Sequence, residues 1–311
     1  MTLSILFSDT DANWSTWETP LRKALVESGI SADLHRSYDT PERVDYVVYA
    51  PSSPLQDFSP YTRLKAVLSM WAGVESIQGN QTLTVPLARM VDPGLTEGMV
   101  EYVTGHILRY HLGIDRHITS NDRIWRPDVA PPLARNRRVS ILGLGSLGMA
   151  CANAAKGLGF DVAGWSRTPK TIDAFKTFSG KGGLVEILKR ADILVLLLPL
   201  TDETEDLINR ETLSLLPNDA VLINPGRGHL IVDEDLLDAL EHNLAHATLD
   251  VFRTEPLPSD HPFWDHPRIT VTPHIAAETR PSTAARVIAQ NIKRAENGQE
   301  LLHLVDRQAG Y

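Results

Sequence analysis

Arg138-Val139-Ser140-Ile141-Leu142, followed by Gly143-Leu144-Gly145-Ser146-Leu147-Gly148, is the stretch whose reading decides the fold. The first five residues form a short apolar, β-branched run that reads as a buried strand. The next six are a G-x-G-x-x-G turn. Met149 to Gly159 is alanine-rich and closed by glycine, as a helix would be. Phe160 to Trp165 then reads as a second strand. Strand, glycine turn, helix and strand make a βαβ unit, the context that turns a weak glycine pattern into a dinucleotide fingerprint. Each glycine has its own task. Gly143 permits the tight turn, Gly145 lets backbone approach a pyrophosphate, and Gly148 lets helix and strand pack closely. Ser146 and Leu147 open the helix, whose unpaired N–H groups and positive dipole end suit phosphate. The alternative is an ordinary αβ turn without a ligand.

The second strand ends in Trp165-Ser166-Arg167, with Lys170 soon after, and all four are expected at the cofactor, the two basic ones at its phosphate. A carboxylate at this point would accept hydrogen bonds from a free ribose 2′-hydroxyl. A guanidinium instead binds a 2′-phosphate through paired, charge-assisted bonds. NADP(H) is therefore the expected cofactor, with NAD(H) the lesser alternative. A solvated loop arginine is the other reading of Arg167.

A chain of 311 residues suits two domains better than one core. Hydrophobic residues at 42% and charged residues at 22% describe a globular protein. A formal charge of −9 argues against nucleic acid or an anionic membrane as a general partner. Cys151 is the single cysteine, which excludes an intramolecular disulfide and fits a reducing, cytoplasmic compartment. Asp9 and Asp11 near the N-terminus, without a basic start, do not read as a signal peptide. The longest apolar run, Ile193 to Leu198, is too short to span a bilayer.

The first ninety residues alternate between strand and helix patterns. Strands are expected at 3–7, 44–49 and 65–70, with a helix over 14–28. Ser8-Asp9-Thr10-Asp11 follows the first strand where a phosphate loop would be glycine-rich, so this is a separate α/β unit. Asp92-Pro93-Gly94 reads as a break, and 96–117 as a long helix opened by Thr96. Asn121 to Asn136 reads as irregular. Further strands are expected at 192–198, 220–224, 247–251 and 269–272, and a final helix from Pro281 to about Asn297 that returns to the first unit.

Three strand ends carry candidate chemistry: Arg227, Glu255 and His274. Neighbouring strands would bring them to one crevice. The set suits reduction of a 2-oxo acid by hydride from a nicotinamide. Arginine holds the carboxylate and polarises the carbonyl. Histidinium gives the proton. Glutamate on the far imidazole nitrogen fixes the tautomer and favours the charged form. Capping, surface or structural-loop roles are the alternatives for each. His242 and His246 are four apart, but the residues between them read as a helix end. With no H-E-x-x-H or CxxC, no metal is expected.

These segments, taken in order, resemble the D-2-hydroxyacid dehydrogenases over nearly the whole chain, and within them the bacterial glyoxylate/hydroxypyruvate reductase A group. The likeness is carried by Gly143 to Gly148, Trp165-Ser166-Arg167, 197–201, 224–228, 249–252, 255–258, Thr272-Pro273-His274 and the terminal 305–311. It implies that Arg227, Glu255 and His274 are the catalytic set. It further implies that Asp250 orients the nicotinamide carboxamide, and that the chain near Leu198, Pro199 and Pro225 lines the cofactor cleft. Ala72-Gly73-Val74 would offer N–H groups to the substrate carboxylate, with Trp71 beside the pocket. Trp71 and Glu75 depart from the family's usual residues, which bears on the substrate rather than the reaction.

The implied fold is α/β: a Rossmann-type doubly wound parallel sheet, residues 95–279, inserted in a flavodoxin-like discontinuous substrate domain of residues 1–94 and 280–311. The implied protein is a homodimer in contact through its long helix. The implied activity is NADPH-preferring reduction of glyoxylate and hydroxypyruvate. The rivals are a catalytically silent NADP(H)-sensing module, a dehydrogenase for a bulkier 2-oxo acid, and a formate or phosphite dehydrogenase of the same fold. The Glu255–His274 pairing disfavours formate oxidation, which releases no proton from an alcohol.

Overall fold

The computed structural model describes residues 2–118, 123–125 and 130–307. Parts of the 121–136 segment, and residues 308–311 of the terminal stretch read as family-like, lie outside the described residues. The chain divides into two compact units, Met1–Leu95 with Thr279–Tyr311, and Thr96–Glu278.

The first unit holds β1 (Leu3–Ser8), β2 (Ala32–His35), β3 (Tyr46–Tyr49), β4 (Ala66–Ser69) and β5 (Leu87–Ala88). All pair in parallel, in the order β2-β1-β3-β4-β5. That is the flavodoxin-like order. β3 and β4 are buried along their whole length, as strands covered on both faces must be. Helices Asp11–Glu27 and Pro281–Glu296 share one apolar cluster with β1, β3 and β4. Ala284, Ala285, Ile288, Ala289 and Ile292 supply the buried face of the last helix. Asn291 interrupts that face, and its amide is satisfied by both backbone groups of Leu302, at 2.7 and 3.2 Å. The expected strands at 44–49 and 65–70 are present but shorter. Edge strand β2, with only Leu34 buried, and the two-residue β5 carry too little apolar pattern to be expected.

The second unit holds β6 (Arg138–Leu142), β7 (Asp161–Ser166), β8 (Lys176–Ser179), β9 (Ile193–Leu196), β10 (Ala220–Asn224), β11 (Leu244–Leu249) and β12 (Ile269–Val271). The sheet order is β12-β11-β10-β9-β6-β7-β8, again all parallel. Chain order reverses between β6 and β9, which is where ligands bind in doubly wound sheets. Edge strand β8 is only half-buried and was not expected. β11 begins at Leu244 rather than Ala247, because Ala220 of β10 already pairs with Leu244 ahead of a register shift.

The long helix runs over Pro93–Leu112 rather than 96–117. Asp92 explains its early start. Its carboxylate accepts from Gly94 N–H at 3.0 Å and Leu95 N–H at 3.3 Å, and Pro93 needs no partner in the first turn. The apparent Asp-Pro-Gly break is thus a cap. Gly113, at φ +64, ends the helix, and a separate turn of helix, Asp115–Ile118, follows. Among the described residues no helix is long and apolar enough to cross a membrane.

Asp92→Ala is expected to destabilise the protein by about 1 kcal/mol, the usual worth of a helix cap. A lowered midpoint of thermal or urea unfolding, partly restored in Asp92→Asn, would be the sign. An unchanged midpoint in Asp92→Ala would remove the cap from this account.

Candidate active site

The glycine loop leaves β6 at Gly143, which has φ +104. A Cβ there would stand 2.3 Å from the carbonyl oxygen of Leu197, so only glycine lets the turn pass the end of β9. A Cβ on Gly148 would lie 1.7 Å from the carbonyl oxygen of Gly143, which closes the helix onto the strand. Gly145, by contrast, meets nothing within 4 Å. Two glycines are thus demanded by the protein's own packing, and the middle one faces open space. Helix Ser146–Gly157 starts directly after it. Its first turn leaves backbone N–H groups without intrahelical partners. A tight cradle, an open central glycine and a positive helix end fit a dinucleotide pyrophosphate.

The basic end of β7 is more tied down than its sequence suggests. Trp165 lies in the core, and its indole N–H donates to the Gly180 carbonyl at 2.9 Å. Ser166 is buried, and its hydroxyl donates to the Thr168 carbonyl at 2.8 Å. The Lys170 ammonium donates to the Leu144 carbonyl at 2.7 Å, so it braces the glycine loop itself. Arg167 remains half-exposed, 3.8 Å from Glu203. At the end of β9, Leu198 is buried and the Pro199 carbonyl accepts from the Thr204 hydroxyl at 2.7 Å.

The ends of β10, β11 and β12 are adjacent. Buried Asn224 closes β10 and shapes the Pro225-Gly226-Arg227 turn. Its carboxamide donates to the Arg227 carbonyl at 2.9 Å and accepts from Gly226 N–H at 3.1 Å. The Arg227 guanidinium donates to the Gly226 carbonyl at 2.7 Å. A Cβ on Gly228 would stand 2.0 Å from the Phe252 carbonyl carbon. The turn carrying Arg227 therefore lies hard against the chain that leads to Glu255.

Glu255 and His274 meet directly, Oε2 to Nδ1 at 2.8 Å. The other Glu255 oxygen accepts from Phe252 N–H at 2.9 Å. With Nδ1 engaged, Nε2 is the imidazole atom left to work on a ligand. Bonding to Glu255 raises the His274 pKa against the opposing effect of burial, with the charges of Glu255 and Asp250 adding and that of Arg227 subtracting. Burial pushes the Glu255 carboxyl up, but hydrogen bonds from His274 and Phe252 outweigh it and hold it below its usual range. His274 also sits at φ +55, in the left-handed region. Such a conformation persists only where its surroundings over-determine it, and it gathers at functional sites.

Asp250 is fully buried. Its carboxylate accepts from the Thr272 hydroxyl at 2.6 Å, Ile275 N–H at 2.9 Å and Ala276 N–H at 2.8 Å. Sequence reasoning missed this web, since nothing in the sequence pairs Asp250 with Thr272. It also passed over Gly228, though a glycine directly after a candidate arginine is a sign of close approach. His242 ends a helix and bonds the Asp238 carbonyl, while His246 lies on β11 beside Thr270, at 2.9 Å. Among the described residues no cluster of His, Cys, Asp or Glu could hold a metal ion.

In the first unit, the loop after β4 holds Trp71 to Val74. The Ser69 hydroxyl ties both backbone groups of Trp71, at 3.1 and 3.0 Å, and Met90 N–H donates to the Trp71 carbonyl at 2.9 Å. Trp71 is exposed and Val74 buried. Among the described residues, the N–H groups of Ala72 and Gly73 have no partner.

Residues 106–276 match the family described as D-isomer specific 2-hydroxyacid dehydrogenase, NAD binding domain. The chain is 39% identical to a glyoxylate/hydroxypyruvate reductase A of Serratia proteamaculans, covering 99% of this chain and 100% of that protein. The Yersinia enterocolitica protein of the same name is 37% identical at the same coverage. A D-isomer specific 2-hydroxyacid dehydrogenase of Xanthobacter autotrophicus, solved with NADPH and MES, superposes with a TM-score of 0.92 at 35% identity, over all of both chains. An NADPH-dependent glyoxylate/hydroxypyruvate reductase of Sinorhizobium meliloti, solved with NADP and sulfate, gives 0.85 at 34% identity, over 100% of this chain and 99% of that one. A glycine cradle at the switch point, a Glu–His pair at neighbouring strand ends and full-length likeness lead to one conclusion: the chain belongs to the D-isomer specific 2-hydroxyacid dehydrogenases.

Proposed function

We propose that this chain is an NADPH-preferring reductase of small 2-oxo acids, taking glyoxylate to glycolate and hydroxypyruvate to D-glycerate. The observation that carries the reading is the 2.8 Å Glu255–His274 pair at strand ends on the same edge of the sheet as the glycine cradle. The names of the full-length relatives and the NADPH and NADP in the solved ones support it. In this reading Thr96–Glu278 is the dinucleotide-binding domain, and the unit built from both chain ends is the substrate domain. The protein works as a cytoplasmic homodimer. The likeness to the family supports the dimer, and the single buried Cys151 suits a reducing compartment.

The bound nicotinamide supplies the hydride. The chain's own residues do the rest. Gly143 to Gly148 would seat the pyrophosphate and Arg167 would take the 2′-phosphate, while Asp250, which has no exposed surface, would bear on the carboxamide through the loop it holds. Backbone N–H groups of Ala72, Gly73 and Val74 receive the substrate carboxylate. Arg227 clamps the carboxylate and polarises the carbonyl as charge develops on its oxygen. His274 gives that oxygen a proton from Nε2. Glu255 holds Nδ1, keeps the ring oriented and stabilises the imidazolium. In the oxidative direction neutral His274 takes the proton back.

A panel of 2-oxo acids assayed with each cofactor tests the reading. NADPH should be favoured in kcat/KM, and Arg167→Ala should raise the NADPH KM about tenfold to a hundredfold, the worth of a charge-assisted contact, while sparing NADH. Wild-type efficiency at least as high with NADH would sink the cofactor assignment. Tight NADPH binding without turnover of any 2-oxo acid would point to a sensor instead.

His274→Gln should lower kcat by roughly 10²- to 10⁴-fold, the span of acid–base catalysis, with NADPH affinity by fluorescence unchanged. Normal turnover would take the proton from another source.

Reduction needs protonated His274, so its kcat/KM should fall as pH rises through the raised His274 pKa. Oxidation should rise over the same range. Glu255→Gln removes the largest cause of that elevation and should move the alkaline limb of reduction to lower pH. A limb left in place would free His274 from dependence on Glu255.

A further inference from the structure

We propose that Thr272, backed by Tyr102, is a positioning residue that sets His274 in place through the buried carboxylate of Asp250. The inference rests on the reading of His274 as the proton donor.

Asp250 brackets His274 on both sides. Before it in the chain, the Thr272 hydroxyl lies 2.6 Å from Oδ1. After it, Ile275 N–H reaches the same oxygen at 2.9 Å and Ala276 N–H reaches Oδ2 at 2.8 Å. His274 N–H itself donates to the Asp250 carbonyl at 2.9 Å. Asp250 N–H in turn donates to the Asn224 carbonyl at 3.0 Å, which ties the arrangement to the end of β10, next to the Arg227 turn. One residue therefore holds the Thr272 side chain and the backbone at 274, 275 and 276. His274 is the member of that run held at φ +55, and a left-handed histidine keeps its place only while such contacts persist.

The direction of the hydroxyl protons follows from donor and acceptor counting. A carboxylate only accepts, so Thr272 spends its single proton on Asp250. Its oxygen must then accept from Tyr102, whose phenol oxygen stands 2.7 Å away. Burial pushes the Tyr102 phenol well up, so it remains a donor. The relay runs from the Tyr102 O–H to Thr272, from the Thr272 O–H to Asp250, and from Asp250 to the loop that aims His274 at its partner Glu255. It begins on the Pro93–Leu112 helix and ends beside the reacting group.

The charged groups facing His274 are Glu255, Asp250 and Arg227. Losing the Thr272 hydroxyl leaves all three residues in place and takes from Asp250 the donor that fixes the start of the His274 turn. A looser Glu255–His274 bond lets the imidazole pKa fall, so the alkaline limb of reduction should move to lower pH.

The test uses the full-length enzyme with glyoxylate and NADPH, assayed across pH, in Thr272→Val, Thr272→Ser, Tyr102→Phe and His274→Gln. Thr272→Val should lose about tenfold in kcat, as small misplacements of a reacting group do, and shift the limb downward. Thr272→Ser keeps the hydroxyl and should stay near wild type. Tyr102→Phe should change in the same direction by a smaller factor, and it carries the test if Thr272→Val does not fold. Unchanged kcat and limb in Thr272→Val or Tyr102→Phe, with His274→Gln inactive, would overturn this inference alone. So would an equal loss in Thr272→Ser, or an effect confined to the NADPH KM. Full turnover in His274→Gln would overturn the proton-donor reading and this inference with it.

Discussion

Every strand of the Thr96–Glu278 unit runs in the same direction, and its site depends on that constraint. A parallel sheet puts all its carboxyl ends on one edge. The glycine cradle after β6, the Arg227 turn after β10, Asp250 after β11 and His274 after β12 therefore lie along that edge, the last three on adjacent strands, although the chain between the first and last exceeds a hundred residues. Packing then tightens this gross proximity. Gly143 passes the Leu197 carbonyl, Gly148 meets Gly143, and Gly228 meets Phe252, each closer than any side chain would permit. These are backbone-to-backbone contacts and cannot be relieved by a rotamer change.

The electrostatics of the site sort by burial. Asp250 is wholly buried, and three donors meet its carboxylate. Hydrogen bonds to a charged group contribute about 1.5–3 kcal/mol each, and leaving one unmade inside the protein costs as much. The Asp250 web is accordingly rigid. Arg167 and Glu203 are the opposite case. Both are exposed and 3.8 Å apart, a pairing worth about 0–1 kcal/mol. Glu255 and His274 lie between these limits. They are half-exposed, yet each shifts the other toward its charged form. That is the condition a proton donor near neutrality requires.

The elements legible in the sequence were those with a continuous apolar run or a strong punctuating residue. β6, β9 and β10 are buried on both faces and read directly as hydrophobic stretches. β2, β5 and β8 did not, because short or edge strands need little apolar pattern. The start of the long helix was misread because Asp-Pro-Gly signals both a turn and a cap, and only the position of the Asp92 carboxylate separates the two. Among candidate site residues, Arg227, Glu255 and His274 stood out in the sequence by their places after strands, and the structure puts Glu255 against His274. Lys170 was assigned to phosphate on charge, but its ammonium lies on the Leu144 carbonyl. Trp165, taken for a cofactor contact, has its side chain in the core.

Local order was thus in the sequence by itself: the βαβ fingerprint, the three glycine roles, the basic end of the second strand and the polar residues closing later strands. These depend on backbone freedom, periodicity and charge among residues close along the chain. Tertiary structure alone decided which distant groups share a proton or a charge. Thr272 reaches Tyr102 across 170 residues and Asp250 across 22, and no spacing rule links them. Their pairing exists because parallel strands and one helix bring three otherwise unremarkable side chains within hydrogen-bond reach in a buried place. There an unmatched polar group is costly, and the fold must supply each one with a partner.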